Sequence, residues 1–130
     1  MIGLDTSASI DLFKGEPKIK FFLENAKDKV ATTMINIFEF YIGLDLENIK
    51  HQKEESFYLE ILKSLYHYNK NIESCRYASK IFWRLRKKGI TISRFDCLIA
   101  AVFITNGVTR ILTRNKKHFE NIKELSVISY

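Results

Sequence analysis

Short apolar runs alternate with helix-like segments along the chain, and this alternation constrains the fold more than any other feature. The first apolar run is Ile2–Leu4, and residues 7–15 and 18–26 then predict two helices. Further strands are predicted at 29–33, 66–72, 108–113 and 125–130, with helices at 34–49, 53–65, 75–88 and 94–106. Strands separated by helices predict an α/β fold: a three-layer sandwich with a mainly parallel central sheet of about four to five strands.

Polar residues and one glycine mark the expected ends of several helices. Thr32 or Thr33 can cap the helix at 34–49, because a hydroxyl oxygen accepts a hydrogen bond from a free backbone N–H. Ser74 and Ser93 are predicted to cap the two later helices in the same way, and Gly89 is predicted to end the helix that Ser74 begins.

Length and composition limit the class of protein. The 130 residues, with one proline and five glycines, predict a single domain over residues 1–130. No apolar run approaches the roughly 18 residues of a membrane span, so no membrane association is expected. The first residues lack the pattern of a signal peptide, and Cys75 and Cys97 are isolated. These features predict a cytoplasmic protein with two reduced, mostly buried thiols.

Positive charge is concentrated in one segment. Residues 76–118 contain 11 Lys and Arg residues and a single acid, Asp96, whereas the rest of the chain has 10 basic and 14 acidic residues. Such a basic field suits a polyanion, first of all a nucleic acid, although a solubilising surface is the alternative. Four basic residues recur at four-residue spacing and form either an RNA track or a solvated face: Arg76, Lys80, Arg84 and Lys88.

An acid stands where the first core strand ends. Asp5 follows Leu4 directly, so it is either a helix cap or a metal ligand at the end of a parallel strand. Asn115 closely follows the predicted strand at 108–113. In sheets of this kind ligands bind outside the carboxyl ends of the strands, where the chain order reverses. Asp5 and Asn115 are therefore both expected at that edge of the sheet.

Two further acids occur in apolar surroundings. Glu39 lies in a segment that is apolar almost all round, which predicts a buried helix in which the carboxylate has a salt-bridge partner or a metal. Asp96 is the third residue after Ser93, which is compatible with a capping box and equally with a carboxylate that faces a cleft. Asp11 is expected to face solvent, with a supporting role behind the metal ligands as the alternative, and His118 has no ligand partner at a recognisable spacing.

Three separated carboxylates suit a hard cation. Asp5, Glu39 and Asp96 offer the oxygen ligands that Mg²⁺ or Mn²⁺ prefers when waters and substrate phosphates complete its shell. Together with a basic face, this donor set implies hydrolysis of phosphodiester bonds.

Four segments in order resemble the PIN-domain family, and among its members the small VapC-type toxins of toxin–antitoxin pairs. They are "LDTSASIDLF", "TTMINIFEFYIGL", "ISRFDCLIAA" and "ILTRNKKHF". The resemblance implies a Mg²⁺-dependent endoribonuclease that is usually a homodimer and is inhibited by a small antitoxin protein. Matched position by position, it implies metal binding by Asp5, Glu39 and Asp96. Thr6 matches the hydroxyl residue after the first acid, and Thr113 matches the residue that opens the fourth motif.

Two positions depart from the family pattern. Asn115 stands where relatives often have a fourth acid, and an amide adds no negative charge to hold a second metal. Arg94 stands where relatives often have another acid, so a phosphate contact is expected of it instead. Arg114, beside Asn115 in the fourth motif, is likewise expected near the substrate.

The interpretation is a cytoplasmic RNA endoribonuclease that acts as a toxin, with Asp5, Glu39, Asp96 and Asn115 as its catalytic residues. One alternative is a nuclease of the same chemistry in RNA maturation or decay, without an antitoxin. The other is a binding module for RNA or protein that lacks catalysis, in which Asn115 marks a lost site.

Overall fold

All residues 1–130 are described by the structure, a computed structural model, in which one five-stranded sheet runs through the molecule. Its strands are β1 (Ile2–Leu4), β2 (Val30–Thr33), β3 (Tyr66–Tyr68), β4 (Arg110–Leu112) and β5 (Ser126–Ile128). The strand order is β3-β2-β1-β4-β5, and every neighbouring pair is parallel. The predicted α/β class and the parallel sheet are confirmed.

Six helices flank the sheet. They are α1 (Thr6–Phe13), α2 (Pro17–Ala26), α3 (Met34–Ile42), α4 (Ile49–Lys63), α5 (Ile72–Lys87) and α6 (Arg94–Thr105). A single 3-10 turn, Lys116–His118, follows β4. None of the helices combines the length and the hydropathy that a membrane span requires.

Alternation along the strands separates two apolar layers. Ile2 and Leu4 are fully buried against residues of α1 and α2 on one face of the sheet. Gly3, between them, faces the opposite layer, where Phe103 of α6 is fully buried. A Cβ atom at Gly3 would lie 2.8 Å from the Phe103 ring, so only glycine allows β1 and α6 to approach this closely. The expected three-layer arrangement is thereby present.

The middle of the chain differs from the prediction in its helix boundaries. The helix predicted at 34–49 ends at Ile42, and the next helix begins at Ile49 rather than at residue 53. Gly43 closes α3 because glycine has low helix propensity, and the side chain of Asn48 starts α4 by accepting a hydrogen bond from the Lys50 backbone N–H at 2.9 Å.

The caps of α5 and α6 were only partly predictable. Asn71, not Ser74, is the cap of α5, because each side chain accepts a hydrogen bond from the backbone N–H of the other, at 2.8 and 2.9 Å. Ser93 caps α6 as predicted. Both thiols are free, but Cys75 on α5 is exposed, so the prediction of a buried thiol holds for Cys97 alone.

The prediction that α3 is buried all round is wrong. Ile35 and Phe40 face inward, whereas Met34, Phe38 and Ile42 are 40%, 52% and 72% exposed. The sheet supplies a layer beneath only one side of this short helix, so its other side remains an apolar surface.

Candidate active site

The candidate site lies where the chain order reverses in the sheet. β1 and β4 are neighbours although two strands and several helices separate them in sequence, which creates a crevice outside their carboxyl ends. Asp5 directly follows β1 and Thr113 directly follows β4, and the Thr113 hydroxyl donates a 2.5 Å hydrogen bond to Asp5 Oδ2. A cleft of about 380 Å³ opens here, and its lining comprises Asp5, Thr6, Ser7, Ile10, Glu39, Ser93, Asp96, Arg114, Asn115 and His118.

Asp5 is both a helix cap and a member of the cleft. Its Oδ1 accepts hydrogen bonds from the Ala8 backbone N–H and the Ser7 hydroxyl, each at 2.8 Å, so the carboxylate starts α1. The residue is only 4% exposed. Burial raises the pKa of Asp5, while the hydrogen bonds from Thr113, Ala8 and Ser7 act in the opposite direction. The capping role therefore does not remove Asp5 from the site.

Glu39 reaches the cleft through a relay of polar side chains. The Thr6 hydroxyl donates to Glu39 Oε1 at 2.6 Å and accepts a 3.0 Å hydrogen bond from the Asn36 amide. Asn36 Oδ1 in turn accepts from the Thr33 hydroxyl, which caps α3. Glu39 has no salt-bridge partner, so the first of the two alternatives for this acid is absent, and a neutral hydroxyl holds the half-buried carboxylate.

Asp96 points toward the cleft from the first turn of α6. Its backbone N–H donates to the Ser93 hydroxyl at 3.0 Å, while its carboxylate Oδ2 lies 3.2 Å from Nδ1 of His118. Burial raises the pKa of Asp96, and contact with Ser93 and His118 offsets part of that effect. The contact with His118 becomes an ion pair when the imidazole is protonated.

The segment after β4 brings three side chains to the same cleft. The Asn115 backbone N–H donates a 2.9 Å hydrogen bond to the Thr113 hydroxyl, and Asn115 precedes the 3-10 turn. The last residue of that turn, His118, contacts Asp96. The Asn115 side chain itself makes no capping hydrogen bond. Arg114 lies beside it on the lining of the cleft.

Asp11 is buried rather than facing solvent. Its Oδ1 accepts a 3.0 Å hydrogen bond from Arg114 Nη1, and its Oδ2 accepts a 2.5 Å hydrogen bond from the hydroxyl of Tyr130. The expectation of a solvent-facing acid is wrong because its partners come from the other end of the chain.

Several residues of the site were not found from the sequence. The Thr33-x-x-Asn36 spacing of a capping box was a usable signal for Asn36, and Ser7 lies two residues after Asp5. No sequence signal pointed to His118, because its contact with Asp96 depends on the path of the 3-10 turn.

Arg94 and the basic stripe of α5 lie outside the cleft. Arg94 lines a separate shallow pocket beside Phe82 and Trp83. Both terminal nitrogens of Arg84 donate to the Glu124 carboxylate, at 2.6 and 2.8 Å. Glu124 precedes β5, so it lies toward the amino ends of the strands, opposite the cleft. The charge of Arg84 is therefore neutralised by an acid far from the cleft. None of the three other stripe residues lines the cleft: Arg76, Lys80 and Lys88.

The donor set of the cleft suits a divalent cation with few protein ligands. No three carboxylate, imidazole or thiol groups lie close enough together to enclose a metal ion by themselves. Mg²⁺ usually keeps several waters and binds only one or two carboxylates, so a closed cage is not required for it. Burial raises the pKa of Asp5 and Asp96, and a nearby cation would offset that effect by stabilising the ionised carboxylates. Asp5, Glu39 and Asp96 all line the cleft without forming a closed cluster, and their carboxylate oxygens are the donor type that Mg²⁺ or Mn²⁺ prefers.

The chain as a whole is similar to known proteins. A family model described as PIN domain matches residues 2–125. The chain is 34% identical over 128 residues to ribonuclease VapC of Rickettsia bellii, covering 97% of this chain and 93% of that protein. It is also 34% identical over 128 residues to ribonuclease VapC1 of Methanocaldococcus jannaschii, covering 98% and 85%. The solved structure of VapBC2 from Rickettsia felis, bound to a promoter DNA fragment, is similar with a TM-score of 0.87, 25% identity and coverage of 100% and 99%. Since the family match spans nearly the whole sequence, as the four motifs predicted, this chain belongs to the PIN-domain family.

Proposed function

We propose that residues 1–130 form one nuclease domain that hydrolyses internal phosphodiester bonds of RNA with the help of a divalent cation. The observation that carries the proposal is the meeting of Asp5, Glu39 and Asp96, from three separate elements, in one cleft. The ribonuclease names of relatives at 34% identity support RNA as the substrate.

Mg²⁺ or Mn²⁺ bound at these carboxylates would supply positive charge that lowers the pKa of a water and offsets charge on the departing oxygen. The protein's own contribution is orientation. Thr113 and Ser7 hold the two oxygens of Asp5, and Thr6 holds Glu39. Carboxylates held in this way need little rearrangement to bind a cation.

Positive groups beside the acids supply the attraction for RNA. Arg114 lines the cleft, and Lys116 and Lys117 are exposed on the adjoining 3-10 turn. The unbonded amide of Asn115 is available to orient a water or a phosphate oxygen. The site thus combines carboxylates that can bind a cation with positively charged side chains that attract the RNA backbone.

Cleavage of a mixed RNA by the purified chain tests the proposal. We expect cleavage with Mg²⁺ or Mn²⁺, none with EDTA, and near-complete loss in Asp5→Asn. Asparagine is itself a good cap, so this variant retains the start of α1 while losing the charge. Asp28→Asn is the matched control, because Asp28 pairs with Arg110, which does not line the cleft.

The outcomes separate the candidate functions. Equal cleavage by wild type and Asp5→Asn would overturn the assignment of the site, and cleavage that survives EDTA would overturn the metal. Binding of RNA without cleavage would favour a binding module that lacks catalysis.

We propose that a small antitoxin protein inhibits this nuclease. The similar Rickettsia felis structure is a VapBC assembly, which supports such a partner. An apolar groove adjoins the cleft, and Ile10 lines both. The other apolar residues of the groove are Phe13, Phe40, Leu44 and Tyr58. An antitoxin segment with apolar side chains would bury this groove and cover the cleft beside it.

Purification of the tagged chain from its own cells tests the partner. A small protein should co-purify stably with the chain and abolish RNA cleavage. Leu44→Glu should weaken the association and restore cleavage, because binding would bury a charge in the groove. Active nuclease with no inhibitory partner would favour a role in RNA maturation or decay.

We also propose a homodimer through the exposed apolar face of α3. Phe38 of α3 and Phe95 of α6 are 52% and 49% exposed, and their ring centroids are 6.1 Å apart. A joint aromatic surface on two helices is of the kind that a second copy covers. Analytical ultracentrifugation should show a dimer that Phe38→Gln dissociates, while Phe57→Gln, on α4 and 62% exposed, leaves it intact.

A further inference from the structure

Asp11 of α1 contacts both Arg114, which lines the cleft, and Tyr130, which follows β5. One carboxylate oxygen accepts from Arg114 Nη1 at 3.0 Å, and the other accepts from the Tyr130 hydroxyl at 2.5 Å. The Asp11 side chain is 11% exposed, whereas that of Arg114 is 59% exposed. A buried acid therefore holds one side of an arginine whose other side faces solvent.

The bonds of Arg114 leave most of its guanidinium available. Nη1 is bonded to Asp11, and Nη2 and Nε make no hydrogen bond in the structure. The backbone N–H of Arg114 donates to the Ser7 hydroxyl at 3.2 Å, and Ser7 donates to Asp5. The backbone and the side chain of Arg114 are thus both bonded to α1, the helix that Asp5 caps.

Fixing this arginine has a chemical use. A guanidinium presents its donors in a planar fork, which matches two oxygens of a phosphate only when the plane is correctly oriented. A side chain that is already held in one orientation loses less freedom when the ligand binds. The buried carboxylate contributes nothing else to the cleft, because Asp11 does not line it.

We infer that Asp11 and Tyr130 are positioning residues that hold Arg114 over the cleft to bind a phosphate group of the RNA substrate. The inference rests on the proposed nuclease function. Arg114 uses its free donors for the phosphate, Asp11 sets the plane of the guanidinium, and the Tyr130 hydroxyl fixes Asp11.

The sign of one substitution separates positioning from plain electrostatics. If Asp11 acted only as a negative charge near RNA, its neutralisation in Asp11→Asn would strengthen RNA binding. If Asp11 positions Arg114, the same change weakens RNA binding. Tyr130→Phe removes one hydroxyl without changing charge, so it weakens binding only in the positioning case.

Steady-state cleavage and metal-free RNA binding, measured with the full chain, test the inference. Arg114→Ala is expected to raise KM about tenfold, as loss of one charge-assisted phosphate contact does. Asp11→Asn and Tyr130→Phe are each expected to raise KM about threefold with little change in kcat. In the Arg114→Ala background neither Asp11→Asn nor Tyr130→Phe should raise KM further, because both act through the guanidinium that this variant lacks.

Two control variants distinguish positioning from general damage. Asp28→Asn breaks another Asp–Arg pair, and Tyr68→Phe removes a hydroxyl whose only partner is the Met1 sulfur at 3.5 Å. Both should leave KM unchanged. The inference is overturned if Tyr130→Phe leaves KM unchanged, if Asp11→Asn lowers KM, or if either adds its full effect to Arg114→Ala. Wild-type protein that neither binds nor cleaves RNA would instead overturn the proposed function, and the inference with it.

Discussion

The Thr6 hydroxyl donates a 2.6 Å hydrogen bond to Glu39, which joins the first turn of α1 to α3 across 33 positions of the chain. Thr6 directly follows Asp5, whose carboxylate caps the same helix. Its neighbour Ser7 donates to Asp5, so two consecutive residues of one turn orient two acids of the cleft. A change at Thr6 should disturb Glu39 while leaving the bonds of Asp5 in place.

Thr6→Val should impair cleavage more than folding. Valine retains the shape of threonine but frees Glu39 and leaves the Asn36 amide without its acceptor. Loss of a residue that orients a metal ligand typically costs about 10- to 100-fold in metal affinity or activity. Cleavage rates at several Mn²⁺ concentrations measure this effect. Thr105→Val is the control, because Thr105 bonds only to carbonyls of its own helix. Equal rates for the two variants would mean that Thr6 does not orient Glu39.

The raised pKa of Asp5 predicts a particular pH dependence of stability without metal. Burial raises the pKa of Asp5 above its ordinary value of 3.8, so the folded state binds its proton more tightly than the unfolded state. The free energy of unfolding should then fall as pH rises from 3.8 through the raised pKa and level off above it. Asp5→Asn removes this fall, and its stability at neutral pH should equal or exceed that of wild type.

Urea unfolding in EDTA between roughly pH 4 and 7 measures this difference. Addition of Mg²⁺ should reverse it at neutral pH, since a ligand that binds the ionised site stabilises the wild-type protein. If the difference between the two proteins does not vary with pH, the burial of Asp5 does not affect its ionisation.

The parts of this fold set by local chemistry were predictable from the sequence. Ile2–Leu4 followed by Asp5 predicted a buried strand and an acid at its end, because apolar runs form strands in parallel sheets and carboxylates cap helices. Ser93 likewise predicted the start of α6. The rule that ligands gather outside the carboxyl ends of parallel strands then brought Asp5 and Asn115 to one edge.

The remaining features depend on partners that sequence spacing does not reveal. Asp11 is buried because Tyr130, 119 positions away, donates to it, so its own neighbours gave no indication of burial. The exposed side of α3 reflects which helices pack against it, and apolar composition alone could not identify that side. Arg84 shared the spacing of the basic stripe, yet a Glu 40 positions later neutralises it.

Salt dependence should separate charges beside the cleft from charges occupied elsewhere. Lys116→Gln and Lys117→Gln remove exposed charges next to the cleft, so each should reduce the slope of log affinity against log salt by about 0.7 for a single-stranded RNA. Arg84→Gln should leave the slope unchanged and lower stability instead, because it leaves Glu124 without its bidentate partner. Fluorescence anisotropy over a series of salt concentrations measures the slopes. A reduced slope in Arg84→Gln would restore the α5 stripe as an RNA track.

Asn115 allows a direct test of how charge in the cleft controls metal binding. Its side chain makes no capping hydrogen bond, so substitution should change the free energy of unfolding by only about 0.5 kcal/mol or less. Asn115→Asp adds a carboxylate beside Asp5 and Asp96, and this fourth acid should let the site bind Mn²⁺ more tightly or with a higher stoichiometry.

Asn115→Ala should reduce cleavage less than Asp5→Asn, because water replaces an amide ligand more readily than it replaces a negative charge. Isothermal titration with Mn²⁺ measures affinity and stoichiometry, and cleavage rates at saturating metal complete the comparison. Asp45→Asn provides a control for a change between Asp and Asn, since Asp45 lies in the turn before α4 and does not line the cleft. If Asn115→Asp alters neither metal binding nor rate, Asn115 acts only as the residue that turns the chain after β4, and the metal is held by Asp5, Glu39 and Asp96 without it.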